Sequence, residues 1–218
     1  MYGKKILKGL GPLSLLLLFL GVAHAAPSPE PIGVIKQAVD EIVTVLQDKK
    51  LQAPALKDER RQRVGVTVER YFDFDEMSMR TLARHWKERT PAERKHFAGL
   101  FKQLLQRTYF DRVDSYCRDM NNLCTNEVVL IKKQELQGNK AIVYTAFVRN
   151  NVETPVEYKL MSAAGKWMVY DVVIEGVSLV RNYRSQFESI VAKEQYSGLV
   201  AKMEEKIKKN EPLEDVLK

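Results

Sequence analysis

The sequence predicts an α+β protein: a four-stranded antiparallel meander sheet wrapped by helices, with an additional helical lobe. Apolar residues recur at helical spacing up to about residue 118 and again beyond residue 176, whereas the residues between them alternate as in strands. Only short turns separate the strand-like segments, and turns of that length join antiparallel neighbours. The order of helices, sheet and helices differs from the repeated alternation that produces a parallel sheet.

The first 25 residues have the pattern of a secretory signal peptide. Three lysines lie within the first eight residues, an apolar stretch spans 13–22, and Ala23-His24-Ala25 forms a small-x-small cleavage site. An apolar stretch of about ten residues is too short for a membrane-spanning helix, which needs roughly 20. We therefore expect cleavage after Ala25 and an exported mature protein that is not anchored in a membrane.

Composition and charge favour one domain over residues 26–218, with helices at about 30–118 and 176–209 and the sheet at about 126–175. The chain has 218 residues, of which 45% are hydrophobic, and only 11 glycines and 8 prolines, which excludes disordered, collagen-like and low-complexity chains. Beyond residue 25 there are 32 basic and 28 acidic side chains, and this net charge of +4 is too small to indicate nucleic-acid binding by itself.

The helices before the sheet follow from apolar spacing and from residues that favour helix ends. Residues 32–46 and 56–70 predict the first two helices, and a third runs to Trp86. The fourth begins at the capping box 90–93, in which a threonine caps the helix, a proline fills the first turn and a glutamate closes the box.

Four strand-like segments follow, at residues 126–136, 140–149, 154–161 and 166–175. Several of them are apolar on both faces, so both faces of the sheet must be covered. Helices packed on both sides would explain this pattern, and so would an apolar ligand cavity against one face; periodicity alone does not separate the two. A long helix from about residue 176 and a lysine-rich helix over about 197–209 complete the chain.

The sequence contains no motif of a nucleotide-binding, hydrolase or metalloprotease site. His85 and His96 lie on predicted helices. The clustered acidic residues 73, 75 and 76 could serve acid–base or metal chemistry, but capping of the third helix explains them more simply. Asp171 interrupts an apolar strand, where it can act as a buried base in a pocket or accept hydrogen bonds from the backbone or a nearby arginine. We expect no catalytic residue, no metal and no cofactor.

Cys117 and Cys124 are the two cysteines of the chain, separated by six residues between a helix end and the first strand. Two cysteines without an adjacent histidine make a poor metal site, whereas an oxidising exported compartment favours a disulfide. A bridge across so short a loop would stabilise the fold by about 2 to 3 kcal/mol. We predict a structural disulfide; two free thiols or a redox pair are the alternatives.

Two long stretches of the sequence resemble a known family. The first runs from Tyr-Phe-Asp-Phe-Asp at 71–75 through Trp86 and the capping box to Tyr109. The second is Trp-Met-Val-Tyr-Asp-Val-Val-Ile-Glu-Gly-Val-Ser-Leu-Val at 167–180, followed by Asn-Tyr-Arg-Ser-Gln-Phe at 182–187. In order and spacing they resemble the MlaC family, also called the toluene-tolerance auxiliary substrate-binding proteins. The cysteine pair is not part of this resemblance.

The resemblance implies a soluble periplasmic phospholipid carrier and not an enzyme. Proteins of that family have a cone-like sheet wrapped by helices, with a second helical lobe. The acyl chains of a phospholipid lie in an apolar cavity, and the headgroup stays near solvent. They cross the periplasm between an inner-membrane ABC transporter complex, which contains an MCE-domain protein, and an outer-membrane lipoprotein complex. The chain would then be a monomer that binds phospholipid and no nucleic acid. Two alternatives are an exported pocket enzyme with Asp171 as base and an adaptor that binds only proteins.

Strand parity and helical spacing predict which side chains line the cavity. The predicted lining residues are Phe74, Met77, Leu105, Tyr109, Val143, Thr145, Phe147, Tyr158, Leu160, Trp167, Val169, Val173, Val177 and Val180. A shift of one residue in the strand register would exchange the two faces of the sheet. Arg181 and Arg184 are predicted to dock partners. The arginines at 60, 61 and 63, on a basic outer helix face, and the lysines of the last helix are further docking groups or simply solvated.

Overall fold

The computed structural model describes residues 30–119, 129–209 and 211, and the side chains described in the first range end at Asp114. The helices in these ranges are α1 (Pro31–Gln47), α2 (Lys57–Tyr71), α3 (Phe74–Leu82), α4 (Arg84–Lys87), α5 (Pro91–Asp119) and α6 (Leu179–Lys209). The strands are β1 (Val129–Gln137), β2 (Lys140–Arg149), β3 (Val152–Ala163), β4 (Lys166–Ile174) and β5 (Val177–Ser178). No helix among the described residues is long and apolar enough to cross a membrane.

Two predictions fall outside this description. The predicted signal peptide and Cys124 lie outside the described residues. Cys117 lies on α5, but its side chain is not among those described. The cleavage site and the disulfide therefore stay predictions.

The sheet is an antiparallel meander in the order β1-β2-β3-β4-β5, which confirms the predicted connectivity of the four long strands. The turn between β1 and β2 contains Gly138 with a φ of 59°, a conformation that glycine adopts without strain. The two-residue β5 is an addition to the predicted sheet. The chain turns at Glu175 and Gly176, both with positive φ, and then pairs Ser178 with Val173 before α6 begins.

Helix α1 packs against one face of the sheet, at β1 and β2. We call this the inner face and define it by Val143, Tyr158 and Val172, which the strand register aligns in one row. Its buried residues pack with α1 and the end of α2 in one apolar cluster, the sheet core. The sheet core contains Val34, Ile35, Ala38, Tyr71, Ala141, Val143, Val156, Leu160, Val169 and Val172.

A β-bulge at Tyr170 reverses the alternation of side chains along β4. Asp171 pairs with the residue that precedes Leu160 on β3, whereas Leu160 itself pairs with Val169. One extra residue therefore lies on β4 between these two pairs. As a result, Val169 and Val172 share the inner face although they are three positions apart.

Helices α3, α5 and α6 form a second apolar cluster, the lobe core. Four aromatic residues make contact at its centre, with ring centroids 5.4 to 6.2 Å apart: Phe97, Phe101, Tyr183 and Phe187. Phe72 and Leu179 pack against both the lobe core and the sheet core. The helical lobe and the sheet are thus joined through shared apolar contacts.

The helices of the lobe follow the prediction with one difference. The capping box is confirmed, because the Thr90 Oγ1 accepts a hydrogen bond from the Glu93 N–H at 3.2 Å and the Glu93 carboxylate accepts one from the Thr90 N–H at 2.7 Å. The predicted third helix to Trp86 is interrupted at Ala83, whose φ of 48° separates α3 from α4. The two helices predicted at the end of the chain meet at Gln195, a non-helical residue within α6.

Candidate functional site

The predicted cavity residues lie in two different cores. The strand residues that share the inner face, as predicted, are Val143, Thr145, Phe147, Tyr158, Leu160, Trp167 and Val169. The helical residues pack in the lobe core instead: Phe74, Met77, Leu105, Tyr109 and Val180. The prediction that α5 faces these strand residues is therefore wrong, because α1 packs on the inner face at β1 and β2. Helix α3 does approach the sheet, but at β4.

Two of the predicted lining residues do not belong to this set. Val173 is buried, but the bulge at Tyr170 puts it on the face opposite to Val169. Val177 is 56% exposed because it lies on the two-residue edge strand β5, where the chain leaves the sheet. The prediction that Val173 and Val177 line the cavity with the others is wrong for these reasons.

The centre of the inner face is closed by protein side chains. Val143, Leu160 and Val169 are fully buried, and Val34 and Ile35 of α1 pack in the same cluster. In this arrangement these strand residues are not accessible to a ligand. Two clefts on the described surface lie away from this centre.

The first opening is a cleft of about 500 Å³ between α1 and β1. Its walls are Ile32, Gly33, Lys36, Val39, Asp40, Val129, Leu130 and Ile131. Ile32, Val39 and Ile131 also pack against the sheet core, so the cleft leads to the inner face. A Cβ atom on Gly33 would meet no heavy atom within 4 Å, which leaves the cleft open beside α1. Lys36 is exposed, and its ammonium group has no partner among the described residues.

A second cleft, of about 570 Å³, lies near the β1–β2 hairpin. It is lined by Glu135, Leu136, Gln137, Lys140, Ala141, Ile142, Lys159 and Tyr170. None of the predicted cavity residues lines either cleft. Sequence reasoning missed the first cleft because apolar spacing shows that α1 is buried on one side without showing which strand it faces.

Two polar side chains near the sheet core are hydrogen bonded within the protein. Thr145 Oγ1 donates to the backbone oxygen of Val156 at 2.9 Å. The Tyr71 hydroxyl donates to the Glu41 carboxylate at 2.7 Å. Burial, together with this carboxylate, raises the pKa of Tyr71 to about 12, so the hydroxyl stays protonated at neutral pH.

Asp171 has a structural role at the junction of β4 and α6. Its buried carboxylate accepts hydrogen bonds from Ser178 Oγ at 2.7 Å and from the Val180 N–H at 3.1 Å. Lys159 Nζ lies 3.3 Å from the same group. Asp171 therefore caps the first turn of α6. This confirms the hydrogen-bonding alternative, with a lysine where an arginine was expected.

His85 and His96 connect helices at the surface. His85 Nε2 lies 3.2 Å from the Glu188 carboxylate, and His96 Nε2 lies 2.9 Å from that of Glu204, so both contact α6. Asp73 caps α3 by accepting a hydrogen bond at 2.9 Å from the N–H three residues later, as expected. Within the described ranges, no three His, Cys, Asp or Glu side chains are grouped to hold a metal ion.

The predicted docking residues lie on the exposed side of α6. The Arg181 side chain is exposed and has no partner in the described part of the chain. Arg184 Nε donates to the backbone oxygen of Arg80 at 2.8 Å, which ties α6 to α3. Arg60 does not belong to a basic outer face, because it is 1% exposed and paired with Asp114. That part of the prediction is wrong.

Comparison with known proteins first defines the class of fold. The chain superposes with a TM-score of 0.67 on a phospholipid-binding protein from Ralstonia solanacearum, which was solved in complex with a phospholipid. The superposition covers 84% of this chain and 99% of that chain, at 22% sequence identity. The arrangement of helices around an antiparallel meander is therefore the fold of that protein.

The family follows from the sequence comparisons. The MlaC protein family is matched over residues 36–205. The intermembrane phospholipid transport system binding protein MlaC of Haemophilus influenzae is 20% identical over 195 residues, which are 87% of this chain and 88% of that protein. The toluene tolerance protein ttg2D of Pseudomonas putida is 24% identical over 182 residues, or 81% and 79% of the two chains. The chain belongs to the MlaC family, as its resemblance implied.

Proposed function

We propose that this protein is a non-enzymatic phospholipid carrier of the periplasm. It moves lipid between an inner-membrane ABC transporter complex with an MCE-domain protein and an outer-membrane lipoprotein complex. The observation that supports this most is membership of the MlaC family over residues 36–205. Relatives named for phospholipid transport and for phospholipid binding agree with it. The predicted cleavage after Ala25 would deliver a carrier of residues 26–218 to that compartment.

The cleft between α1 and β1 is the proposed mouth of the lipid site. Its apolar walls continue into the sheet core through Ile32, Val39 and Ile131. Acyl chains enter beside α1 and separate it from the inner face, where Val143 and Val169 are fully buried. The apolar surfaces of α1 and the sheet that become separated are then covered by lipid and not by water. This offsets the loss of contact between the helix and the sheet.

The energetics of chain burial determine how such a carrier releases its lipid. Each buried methylene contributes about 0.8 kcal/mol, so two ordinary chains with on the order of 28 methylenes contribute about 20 kcal/mol before losses. Separating α1 from the sheet consumes part of this gain. The remainder still makes spontaneous release slow. Transfer therefore requires a partner that offers an apolar path or stabilises the opened conformation.

Lys36 is the proposed contact for the lipid phosphate. It is exposed at the rim of the cleft and has no partner in the described part of the chain. A lysine ammonium is a compact charge that binds phosphate oxygens. In this arrangement the headgroup stays at the surface while the chains lie in the sheet core.

Lipid extraction tests this function directly. The mature protein is purified from the periplasm without detergent, extracted with organic solvent and analysed by mass spectrometry. We expect intact phospholipid bound to the protein, and its transfer to vesicles that carry the inner-membrane complex. Protein without lipid would contradict the proposal and favour the adaptor alternative. Cleaved lipid products that are lost in Asp171→Asn would favour the pocket enzyme.

A further inference from the structure

Tyr158 is half-buried and carries a hydroxyl group for which the described residues provide no hydrogen-bond partner. It lies in the middle of β3, and the register aligns it with Val143 of β2 and Val172 of β4. Its ring packs against the sheet core, on the inner face of the sheet. The hydroxyl therefore belongs to an apolar surface and not to the outer face of the sheet.

The Tyr158 hydroxyl differs in this respect from the polar groups near it. Thr145 and Tyr71 are hydrogen bonded to Val156 and Glu41, whereas the hydroxyl of the half-buried Tyr158 has no partner among the described residues. Burial raises the pKa of Tyr158 to about 12, so its hydroxyl is a neutral donor at neutral pH. Polar groups in apolar surroundings are normally hydrogen bonded, so a ligand that enters this space can supply the acceptor that the described residues do not.

We propose that Tyr158 donates a hydrogen bond to an ester carbonyl of the bound lipid, an inference that rests on the proposed carrier function. Acyl chains carry no other hydrogen-bond acceptor, so the ester carbonyl is the group that follows the chains into an apolar site. The proposed mouth lies at β1 and Tyr158 lies on β3, two strands or about 10 Å farther into the sheet. The charged phosphate remains outside with Lys36, whereas the uncharged ester lies within reach of a neutral donor.

The chemistry of the lipid linkage makes the proposal testable. Two phosphatidylglycerols with identical chains, one with ester and one with ether linkages, differ in the carbonyl oxygens that Tyr158 would bind. Purified protein is equilibrated with vesicles that contain equal amounts of both, and the bound lipids are counted by mass spectrometry. We expect the native protein to prefer the ester lipid by about two- to tenfold, the ratio given by one hydrogen bond of ordinary net strength. In Tyr158→Phe this ratio should fall to about one while lipid stays bound.

Tyr144→Phe is the matched control. Tyr144 lies on the outer face of the same sheet, and its hydroxyl bonds to the Glu135 carboxylate at 3.0 Å. Removing that hydroxyl should leave the preference for the ester lipid at its native value. Infrared spectra of carbonyl-labelled ester lipid provide a second readout, because a hydrogen-bonded carbonyl absorbs at lower frequency in the native protein than in Tyr158→Phe.

The outcomes separate this inference from the proposed function. Uptake of both lipids by the native protein in equal amounts would overturn the role of Tyr158 and leave the carrier function intact. An unchanged preference in Tyr158→Phe would overturn it as well. Equal loss of both lipids in Tyr158→Phe, with native circular dichroism, would show a packing role only. If the native protein binds neither lipid, the proposed function fails, and this inference fails with it.

Discussion

Arg60 and Asp114 form a buried ion pair between α2 and α5. Their side chains are 1% and 8% exposed, and the Arg60 Nε and Nη2 atoms lie 2.6 and 3.0 Å from the two carboxylate oxygens. The remaining nitrogen of the guanidinium donates to the backbone oxygen of Leu51, in the turn that follows α1. The pair thus fixes α5 against the connection between α1 and α2.

Removing the carboxylate of this pair is expected to destabilise the fold strongly. Asp114→Ala should lower the free energy of unfolding by about 3–5 kcal/mol, because it leaves a buried guanidinium without its counter-charge. Urea unfolding followed by circular dichroism measures this change. The matched control is Glu59→Ala, which removes the exposed partner of Arg63 and should change stability by less than about 1 kcal/mol. Equal losses in the two variants would contradict a special role of the buried pair.

Individual residues show which features could be predicted from the sequence and which could not. Arg60 and Arg63 belong to the same basic segment, and the sequence does not show which of them is buried. Arg60 is buried because it pairs with Asp114, which lies 54 residues further along the chain. Strand parity correctly grouped Val143 with Val169 but failed at Val173, because a bulge is set by the pairing of two strands. Hydrogen bonds such as those of Asp171, which are local to one strand–helix junction, were within reach of the sequence.

At the scale of elements, α1 has two differently anchored halves. Its first half packs on the inner face. The first turn is also bonded to β1, because the Ile32 N–H donates to Gln134 Oε1 at 2.9 Å. Its second half packs through Val43 and Leu46 against Val64 of α2 and against α5. The contacts that lipid would have to replace in the proposed site are therefore those of the first half.

Filling the cleft beside α1 is expected to block lipid uptake. Gly33→Leu places a side chain where a Cβ atom meets nothing within 4 Å, in the proposed mouth between α1 and β1. Leucine also favours helix more than glycine, so thermal stability should stay the same or rise. We expect the amount of phospholipid per purified chain, measured by mass spectrometry, to fall well below the native value.

The control uses a glycine with equal space elsewhere. A Cβ atom on Gly99 of α5 also meets nothing within 4 Å, and Gly99 lines neither cleft. Gly99→Leu should therefore carry as much phospholipid as the native protein. Native lipid content in Gly33→Leu would show that acyl chains do not pass through this cleft.

The elements themselves were largely predictable, but their packing was not. Alternation and short turns are local signals, so the four long strands and their order followed from the sequence. Capping residues such as Thr90 and Glu93 located the start of α5 for the same reason. Which helix packs on which face depends on contacts between distant segments, and the helices that carry the resemblance motifs form the lobe. The assignment of Met77 and Leu105 to the sheet failed on this point.

For the whole molecule, two apolar cores meet at Phe72 and Leu179. Apolar periodicity predicts that a core exists, whereas its division into a sheet core and a lobe core arises only in the folded chain. Both shared residues lie where the chain passes between the sheet and the lobe helices. The predicted docking residue Arg181 follows Leu179 by two positions. A partner that bound Arg181 would therefore contact the protein close to the junction of the two cores.

Charge reversal at the start of α6 tests docking of the whole carrier. Arg181→Glu should slow lipid transfer to vesicles that carry the inner-membrane complex, on the order of tenfold at low salt, because basic groups speed encounters with acidic surfaces. Arg184 is a less suitable site, since its Nε also bonds to the Arg80 backbone. Lys193→Glu makes the same charge change on the same helix about 18 Å away and should transfer lipid at the native rate. Equal rates for both variants at low and high salt would contradict docking through Arg181, and a loss of bound lipid in Arg181→Glu would assign it to the lipid site.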